Sequence, residues 1–182
     1  MWKANQERGT SLVETLMAVF IAVISMTSLG AVIFLSTVQN KNEGFETTRM
    51  TVFAREKIEE LIYLDYSDIS SNISSVTDAA WDVGLTAGGP TDLGTEITAC
   101  PTSGNAVGYV DFLDSDGIKL SGTACSDAAF STWAYIRQWK IEDDPGGTPN
   151  MKQISVAVHA PAAVRTKGDP PVVMLTTYKS EL

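Results

Sequence analysis

The sequence predicts an α+β protein in which one long N-terminal helix packs on an antiparallel β-sheet. Three observations support this prediction: an apolar run at residues 12–35, a proline-free stretch at residues 39–66, and alternating segments after residue 107. A helix followed by a series of hairpins buries its apolar stripe against one face of the sheet. A chain of 182 residues accommodates one membrane segment and one globular domain.

The apolar run from Leu12 to Leu35 contains a single ionisable residue, Glu14. A helix of about 20 apolar residues spans the hydrocarbon core of a bilayer, so the run predicts a membrane-spanning helix. It is longer than the apolar core of a secretory signal peptide, and no small-residue cleavage site follows it. A carboxylate inside such a segment is costly and usually has a partner. A polar leader containing Lys3 and Arg8 precedes the run.

The helix is predicted to continue from Thr10 to about Leu64, over about 80 Å. Its second half is expected to be amphipathic, with one face on the sheet. Apolar residues recur there at helical spacing and predict a single stripe: Ala54, Ile58, Leu61 and Ile62. The charged residues between them are expected to face solvent: Glu56, Lys57, Glu59 and Glu60.

Residues 65–104 are rich in Ser, Thr, Asp and Gly and predict a long connecting loop. Strands are predicted at residues 108–113 and 118–120, joined by a tight turn, and at residues 133–141, 152–159 and 172–178. Alternation places Arg137 on the same face as Tyr135, Trp139 and Ile141. It also directs Ile154, Val156 and Val158 inward.

The acidic residues Asp111, Asp114 and Asp116 admit a second interpretation, a calcium-binding loop. An EF-hand would need an aspartate in place of Phe112 and a glutamate in place of Thr123. The Asp-Gly pair at residues 116–117 instead favours a hairpin turn. The turn is therefore the preferred interpretation, and calcium binding stays open as the alternative.

Little in the chain points to catalysis. His159 is the only histidine, and alternation predicts a surface position for it on the polar side of its strand. One histidine and two cysteines do not supply a metal site, and no glycine-rich phosphate loop follows a strand. The sequence therefore predicts a non-enzymatic protein with no cofactor and no metal. Four aromatic residues are expected in the core rather than on an adhesive surface: Trp81, Trp133, Tyr135 and Trp139.

The N-terminal residues resemble those of the type IV pilins and pseudopilins. Such proteins have a short basic leader that ends in glycine, here Gly9, and a glutamate five residues into the mature chain, here Glu14 counted from Thr10. The resemblance implies cleavage by prepilin peptidase between Gly9 and Thr10, N-methylation of Thr10, and pairing of Glu14 with a free N-terminus during assembly. The class usually has phenylalanine where this chain has Thr10, a departure that bears on cleavage and methylation.

On this resemblance, residues 1–9 are the leader peptide, residues 10–37 the transmembrane and assembly half of the helix, and residues 38–182 the periplasmic head. Lys3 and Arg8 are expected to remain cytoplasmic, so that the head is translocated. Cys100 and Cys125 then lie in an oxidising compartment and predict a disulfide, since the sequence contains no third cysteine.

The second half resembles the PilV-type minor pilins more loosely. The similarity covers the helix end at residues 54–61, the strand from Tyr135 to Ile141, the strand that begins at Lys152, and residues 175–178. A minor pseudopilin of a type II secretion system shares much of this pattern and is the first alternative. A signal-anchored periplasmic binding module, which would keep its leader, is the second.

The resemblance also implies partners and location. A minor pilin associates with major and minor pilins through its N-terminal helix, with prepilin peptidase, and with the assembly platform of the inner membrane. It resides in the inner membrane before assembly and in the pilus filament or at its tip afterwards, where pili mediate cell adhesion. The net charge of −9, or −10 without residues 1–9, argues against nucleic acid as a partner.

Overall fold

The computed structural model describes residues 12–97, 99–160 and 172–181. One helix and four strands form its regular structure: α1 (Leu12–Tyr63), β1 (Val110–Leu113), β2 (Tyr135–Asp143), β3 (Met151–His159) and β4 (Val172–Ser180). Short 3-10 helices lie in the connections, at Ala79–Trp81, Ala128–Thr132 and Pro145–Gly147. The α+β class predicted from the sequence is confirmed.

The chain divides into two compact units, Met1–Gly44 and Phe45–Leu182. Helix α1 contributes residues to both of them. In the first unit, the described residues are all helical. The second unit contains the remaining residues of α1 and the whole sheet, and the hydrophobic core lies within it.

The sheet is an antiparallel meander in the order β1-β2-β3-β4. Its last three strands match the predicted strands to within two residues at each end. The predicted strand at residues 118–120 is wrong, because this segment forms only one bridge, between Leu113 and Lys119. The chain leaves the hairpin there, and Gly122 instead bonds to the backbone of Ser75 and Thr77.

The turn itself forms as predicted. Asp114 Oδ1 accepts hydrogen bonds from the backbone N–H of Asp116 and Ile118, at 2.8 and 2.9 Å. Gly117 adopts a φ of 84°, in the left-handed region that disfavours a Cβ atom. Aspartate and glycine are the residues that stabilise such a turn.

Residues 45–63 of α1 pack on one face of the sheet. Met50, Ala54 and Leu61 are fully buried, and the inward side chains of the strands meet them as predicted: Tyr135, Trp139, Ile141, Ile154, Val156 and Val158. Ile62 is 42 % exposed, so its predicted place in the apolar stripe is wrong. The buried stripe instead runs through Met50, Phe53, Ala54, Lys57 and Leu61, the last three separated by helical spacings of three and four.

The connecting segments cover part of the opposite face of the sheet. A second apolar cluster forms there from residues of the loops and of the first two strands: Val76, Trp81, Val110, Phe112, Phe130 and Ile136. Trp133 packs against this cluster and is partly buried. Of the four aromatic residues expected in the core, Trp81, Tyr135 and Trp139 are buried, which confirms the prediction for them.

A lysine from β4 closes the C-terminal end of α1. The last carbonyls of a helix lack partners within the helix, and α1 has no basic residue in its own last turn. The Lys179 ammonium donates hydrogen bonds to the carbonyl oxygens of Ile62, at 2.6 Å, and of Leu64. A positive charge at this end also interacts favourably with the helix dipole.

Candidate functional site

The predicted site residues fall in different parts of the molecule. Gly9 and Thr10 lie outside the described residues. Glu14 lies in the first turn of α1, and Cys100 and Cys125 lie in the second unit. The features that bear on function are the apolar segment of α1, the disulfide, and two buried polar clusters of the second unit.

The first part of α1 is long and apolar enough to cross a membrane. Leu12–Val38 contains 27 residues with a mean hydropathy of 2.4, and none of it is buried within the chain. Its hydroxyl groups donate to carbonyl oxygens one turn earlier, at 2.8–3.0 Å, from Thr15, Ser25, Thr27, Ser28 and Thr37. A continuous helix satisfies its own backbone N–H and C=O groups, which is the main requirement for burial in lipid. The hydroxyl groups of these five residues are satisfied inside the helix as well.

Glu14 is the only ionisable residue of this segment. No cation among the described residues lies against its carboxylate. An unpaired carboxylate in an apolar environment costs at least about 2.5 kcal/mol. The segment thus combines an exposed apolar surface with one charge that lacks a described partner.

The disulfide predicted between Cys100 and Cys125 is present. The two Cα atoms are 5.6 Å apart, within the usual range for a disulfide. Both cysteines are partly buried against the apolar cluster that contains Phe112 and Phe130. The bond therefore links the connecting loop to the segment that follows β1.

A buried charge cluster, which local sequence patterns do not predict, joins α1 to the sheet. Asp111 on β1, Arg137 on β2 and Lys57 on α1 are all at most 2 % exposed. The prediction that Lys57 faces solvent is therefore wrong. Two features of the sequence could have indicated the cluster. Lys57 lies at helical spacing from the buried residues Ala54 and Leu61, and Arg137 lies on an otherwise apolar strand face.

Asp111 holds the two cations together. Its Oδ2 atom accepts hydrogen bonds from Arg137 Nη2 at 2.7 Å and Nε at 3.1 Å, and lies 3.1 Å from Lys57 Nζ. Arg137 Nη1 also donates to the Phe53 carbonyl oxygen at 2.9 Å. Lys57 Nζ donates to the Ile73 carbonyl oxygen and lies 3.9 Å from the centre of the Trp139 ring. The cluster thus connects the helix, both strands and the connecting loop.

The electrostatics of the cluster keep Asp111 ionised. Burial alone would raise the pKa of its carboxyl group, but the attraction of Lys57 and Arg137 outweighs burial and lowers that pKa. Burial also lowers the pKa of the Lys57 ammonium, and the Asp111 carboxylate opposes that shift. Glu60, which is half exposed, accepts a hydrogen bond from Lys57 at 2.9 Å.

This arrangement does not bring the aspartates of the possible calcium loop together. Asp111 is buried against its two cations, whereas the Asp114 carboxylate accepts from the backbone of its own turn. Within residues 12–97, 99–160 and 172–181, no group of three or more His, Cys, Asp or Glu side chains is placed to hold a metal ion. Asp111 therefore acts as an ion-pair partner rather than as a ligand beside Asp114.

A second polar contact links α1 to β2, near the point where the second unit begins at Phe45. The Tyr135 hydroxyl donates to Glu46 Oε2 at 2.5 Å. Burial, together with this hydrogen bond, raises the pKa of Tyr135 to about 12, so the phenol stays neutral. The Arg49 guanidinium lies 5.5–5.9 Å from the ring centres of Phe45, Phe53 and Tyr135 and donates to the Ser115 carbonyl oxygen.

His159 is fully buried, so the prediction of a surface position is wrong. The loop at residues 93–97 covers the face of β3 that alternation had assigned to solvent. His159 Nε2 donates to the Leu93 carbonyl oxygen at 2.9 Å, and Gln138 Nε2 donates to the carbonyls of Leu93 and Thr95 at 3.0 and 2.9 Å. Alternation identifies the strand face on which His159 and Gln138 lie, but it does not show that a loop covers that face.

The burial of His159 predicts a pH-dependent stability. Burial lowers its pKa, although the Leu93 carbonyl and Asp92 oppose the shift, so the folded protein favours the neutral ring. The unfolded chain binds a proton below about pH 6.5. The contribution of His159 to stability is therefore complete above that pH and is lost as the pH falls from about 6.5 towards the folded pKa, by at most about 1.4 kcal/mol per pH unit.

Chemical denaturation between pH 5 and pH 8 tests this prediction, with His159→Gln as the comparison. Glutamine retains a donor for the Leu93 carbonyl but does not titrate. We expect a shallower loss of stability between pH 6.5 and pH 5 in the variant than in the wild type. Identical pH profiles for the two proteins would contradict the assignment.

Comparison of this chain with protein-family models, with curated proteins and with solved structures found no match.

Proposed function

We propose that this chain is a minor pilin of a type IV pilus, processed by prepilin peptidase and assembled into the filament, or priming it, through its N-terminal helix. The observation that carries the proposal is Glu14, a single carboxylate at the start of an apolar helical segment, Leu12–Val38, that is not buried by the described residues. A filament core lined by such helices would bury both the apolar surface and the charge.

Under this proposal the partner of Glu14 is the amine that cleavage creates at Thr10, on a neighbouring subunit or on the same chain. Removing a charge pair from water has a cost that the pairing only partly offsets, so such a pair is better suited to fixing register than to adding stability. The pairing would therefore select one axial position for the incoming subunit. The head then remains in the periplasm until the subunit leaves the inner membrane.

The first experiment measures the intact mass of the protein extracted from membranes. The proposal predicts a chain that begins at Thr10, with one added methyl group if the N-terminus is methylated. A chain that retains residues 1–9 in cells with active prepilin peptidase would contradict it and would favour the anchored binding module. Replacing Gly9 with a bulky residue should leave the precursor uncut.

The second experiment replaces Glu14 with alanine. The anchor becomes more apolar, so insertion into the membrane should persist, whereas incorporation into sheared filaments should fall at least tenfold. Thr15→Val is the matched control, because it alters the adjacent position without removing a charge. Equal incorporation of Glu14→Ala and wild type, at equal membrane abundance, would leave Glu14 without its proposed role.

A third experiment, deletion of the gene in the cells that produce this protein, distinguishes a pilus subunit from a secretion pseudopilin. Deletion of the gene should reduce surface pili and leave the secretion of folded proteins unchanged if the proposal is correct. Normal piliation combined with a block in secretion would instead support the type II secretion alternative.

A further inference from the structure

The two edges of the sheet differ in what lies beside them. On the outer side of β1, the Leu120 N–H donates to the Phe112 carbonyl oxygen at 2.8 Å, and the Phe112 N–H donates to Ser75 Oγ at 3.0 Å. On the outer side of β4, no backbone hydrogen bond from any described residue occurs, since its nine residues pair only with β3. Alternate N–H and C=O groups of an edge strand point away from the sheet, so β4 offers them to another strand.

Strand β4 also lacks the features that usually protect an edge. Exposed edges are commonly short or carry proline or charged side chains. Residues 172–180 contain no proline, and their single charged residue, Lys179, is turned to the carbonyls of Ile62 and Leu64 at the end of α1. The side chains on the other face are Met174, at 50 % exposure, Thr176 and Tyr178, at 58 % exposure.

The strand is complementary to itself. If β4 pairs with a second β4 in antiparallel fashion about Thr176, Met174 of each copy lies opposite Tyr178 of the other. The two Thr176 residues then lie opposite one another, and Lys179 lies opposite Val173. A thioether beside an aromatic ring and two facing threonines are favourable cross-strand pairs. No two like charges are opposed, although the chain as a whole carries a net charge of −9.

We propose that β4 is the surface through which two copies of this chain associate, by joining their sheets edge to edge about a two-fold axis at Thr176. Such a contact is isologous, because the same strand serves both copies. The two four-stranded sheets become one continuous sheet of eight strands. The contact uses neither residues 1–9 nor Glu14, so its test stands apart from the test of the proposed function.

The test uses the full-length protein in its native membranes and a single introduced cysteine. The sequence contains only Cys100 and Cys125, which are joined to one another, so Thr176→Cys supplies the only free thiol. Opposed residues of paired strands have Cβ atoms about 5 Å apart, within reach of a short bifunctional thiol reagent. We expect a cross-linked homodimer on a non-reducing gel. The matched control is Gln153→Cys, on β3 and on the same face, which should cross-link at least fivefold less.

Two charge variants in the Thr176→Cys background test the register. Met174→Lys with Tyr178→Lys places lysine opposite lysine in the dimer and should reduce cross-linking at least fivefold. Met174→Glu with Tyr178→Lys places opposite charges there and should restore it. All of these side chains are exposed, so far-ultraviolet circular dichroism of the purified variants should show an unchanged fold.

Three results would overturn the proposal. The first is cross-linking of Thr176→Cys no greater than that of Gln153→Cys. The second is equal cross-linking of the two charge variants. The third is a product that mass spectrometry identifies as this chain joined to a different protein, because β4 would then receive another partner instead of a second copy.

Discussion

Replacing Asp111 with alanine is expected to lower the free energy of unfolding of the second unit by about 3–5 kcal/mol. The reason is the position of the carboxylate between Lys57 and Arg137, both buried, with contacts of 3.1 and 2.7 Å. Without Asp111 the two cations face one another in the interior. The carboxylates that remain beside them among the described residues belong to Glu60 and Glu56, at 37 % and 66 % side-chain exposure. Breaking a buried pair on one side leaves an uncompensated charge, which is far costlier than losing a surface pair.

Urea unfolding of the purified protein in detergent, followed by the fluorescence of Trp81, Trp133 and Trp139, measures this change. Glu59→Ala is the matched control, since its ion pair with Arg55 is exposed and should contribute no more than about 0.5 kcal/mol. A triple variant with apolar residues at positions 57, 111 and 137 should recover most of the stability that Asp111→Ala loses. A loss below about 1 kcal/mol for Asp111→Ala would show that the cluster does not hold the helix on the sheet.

The cluster of Lys57, Asp111 and Arg137 also makes the free energy of unfolding depend on pH in the acidic range. Because the folded pKa of Asp111 is lowered, its contribution is present above the unfolded value of about 3.9 and is lost as the pH falls through the folded pKa. This window lies below that of His159, whose contribution disappears from about pH 6.5 downward. The two groups should therefore be separable in an acid titration of the wild type and the two single variants.

Removing the disulfide should cost about 3 kcal/mol. The bond between Cys100 and Cys125 closes a loop with a sequence separation of 25 residues, and the chain-entropy argument assigns a loop of that length about this stabilisation. The double variant Cys100→Ser, Cys125→Ser leaves the fold otherwise unchanged, because both side chains are only partly buried. We expect its urea midpoint to fall without a change in the native circular dichroism spectrum.

Dithiothreitol provides the control for the disulfide. Reduction of the wild type should reproduce the lower urea midpoint of the double serine variant, and the variant itself should not respond to the reagent. Equal midpoints for oxidised and reduced wild type would show that the bond adds nothing to the stability of the second unit.

Local patterns predicted the regular elements well. Strands β2, β3 and β4 followed from alternation, because one face of each strand packs against a helix and its period is visible in the sequence. The helix followed from a long stretch without proline and from the spacing of Ala54, Ile58 and Leu61. The turn at Asp114 followed from residue chemistry that acts within five positions.

Long-range polar contacts were the part that local patterns could not predict. The pattern predicts an exposed Lys57 because the residue lies between members of the predicted apolar stripe, whereas its partner Asp111 lies 54 positions away in the sequence. His159 was assigned to solvent because the loop that covers it contacts it only in the folded chain, across 66 positions. For His159 the alternation was correct, and only the loop opposite it was missing. For Lys57 the predicted stripe itself was displaced, since Lys57 is buried and Ile62 is exposed.

The bond from Lys179 to the end of α1 has a consequence for the order in which the protein forms. It joins positions 117 residues apart, so the carbonyl oxygens at the end of the helix have no lysine partner until β4 has emerged. A contact across so long a stretch of chain forms slowly, because the intervening residues must first be ordered. During synthesis, a chain that has emerged only as far as β3 would expose the helix end and the open side of that strand. Such a partial chain would lack both the lysine that caps α1 and the fourth strand of the sheet.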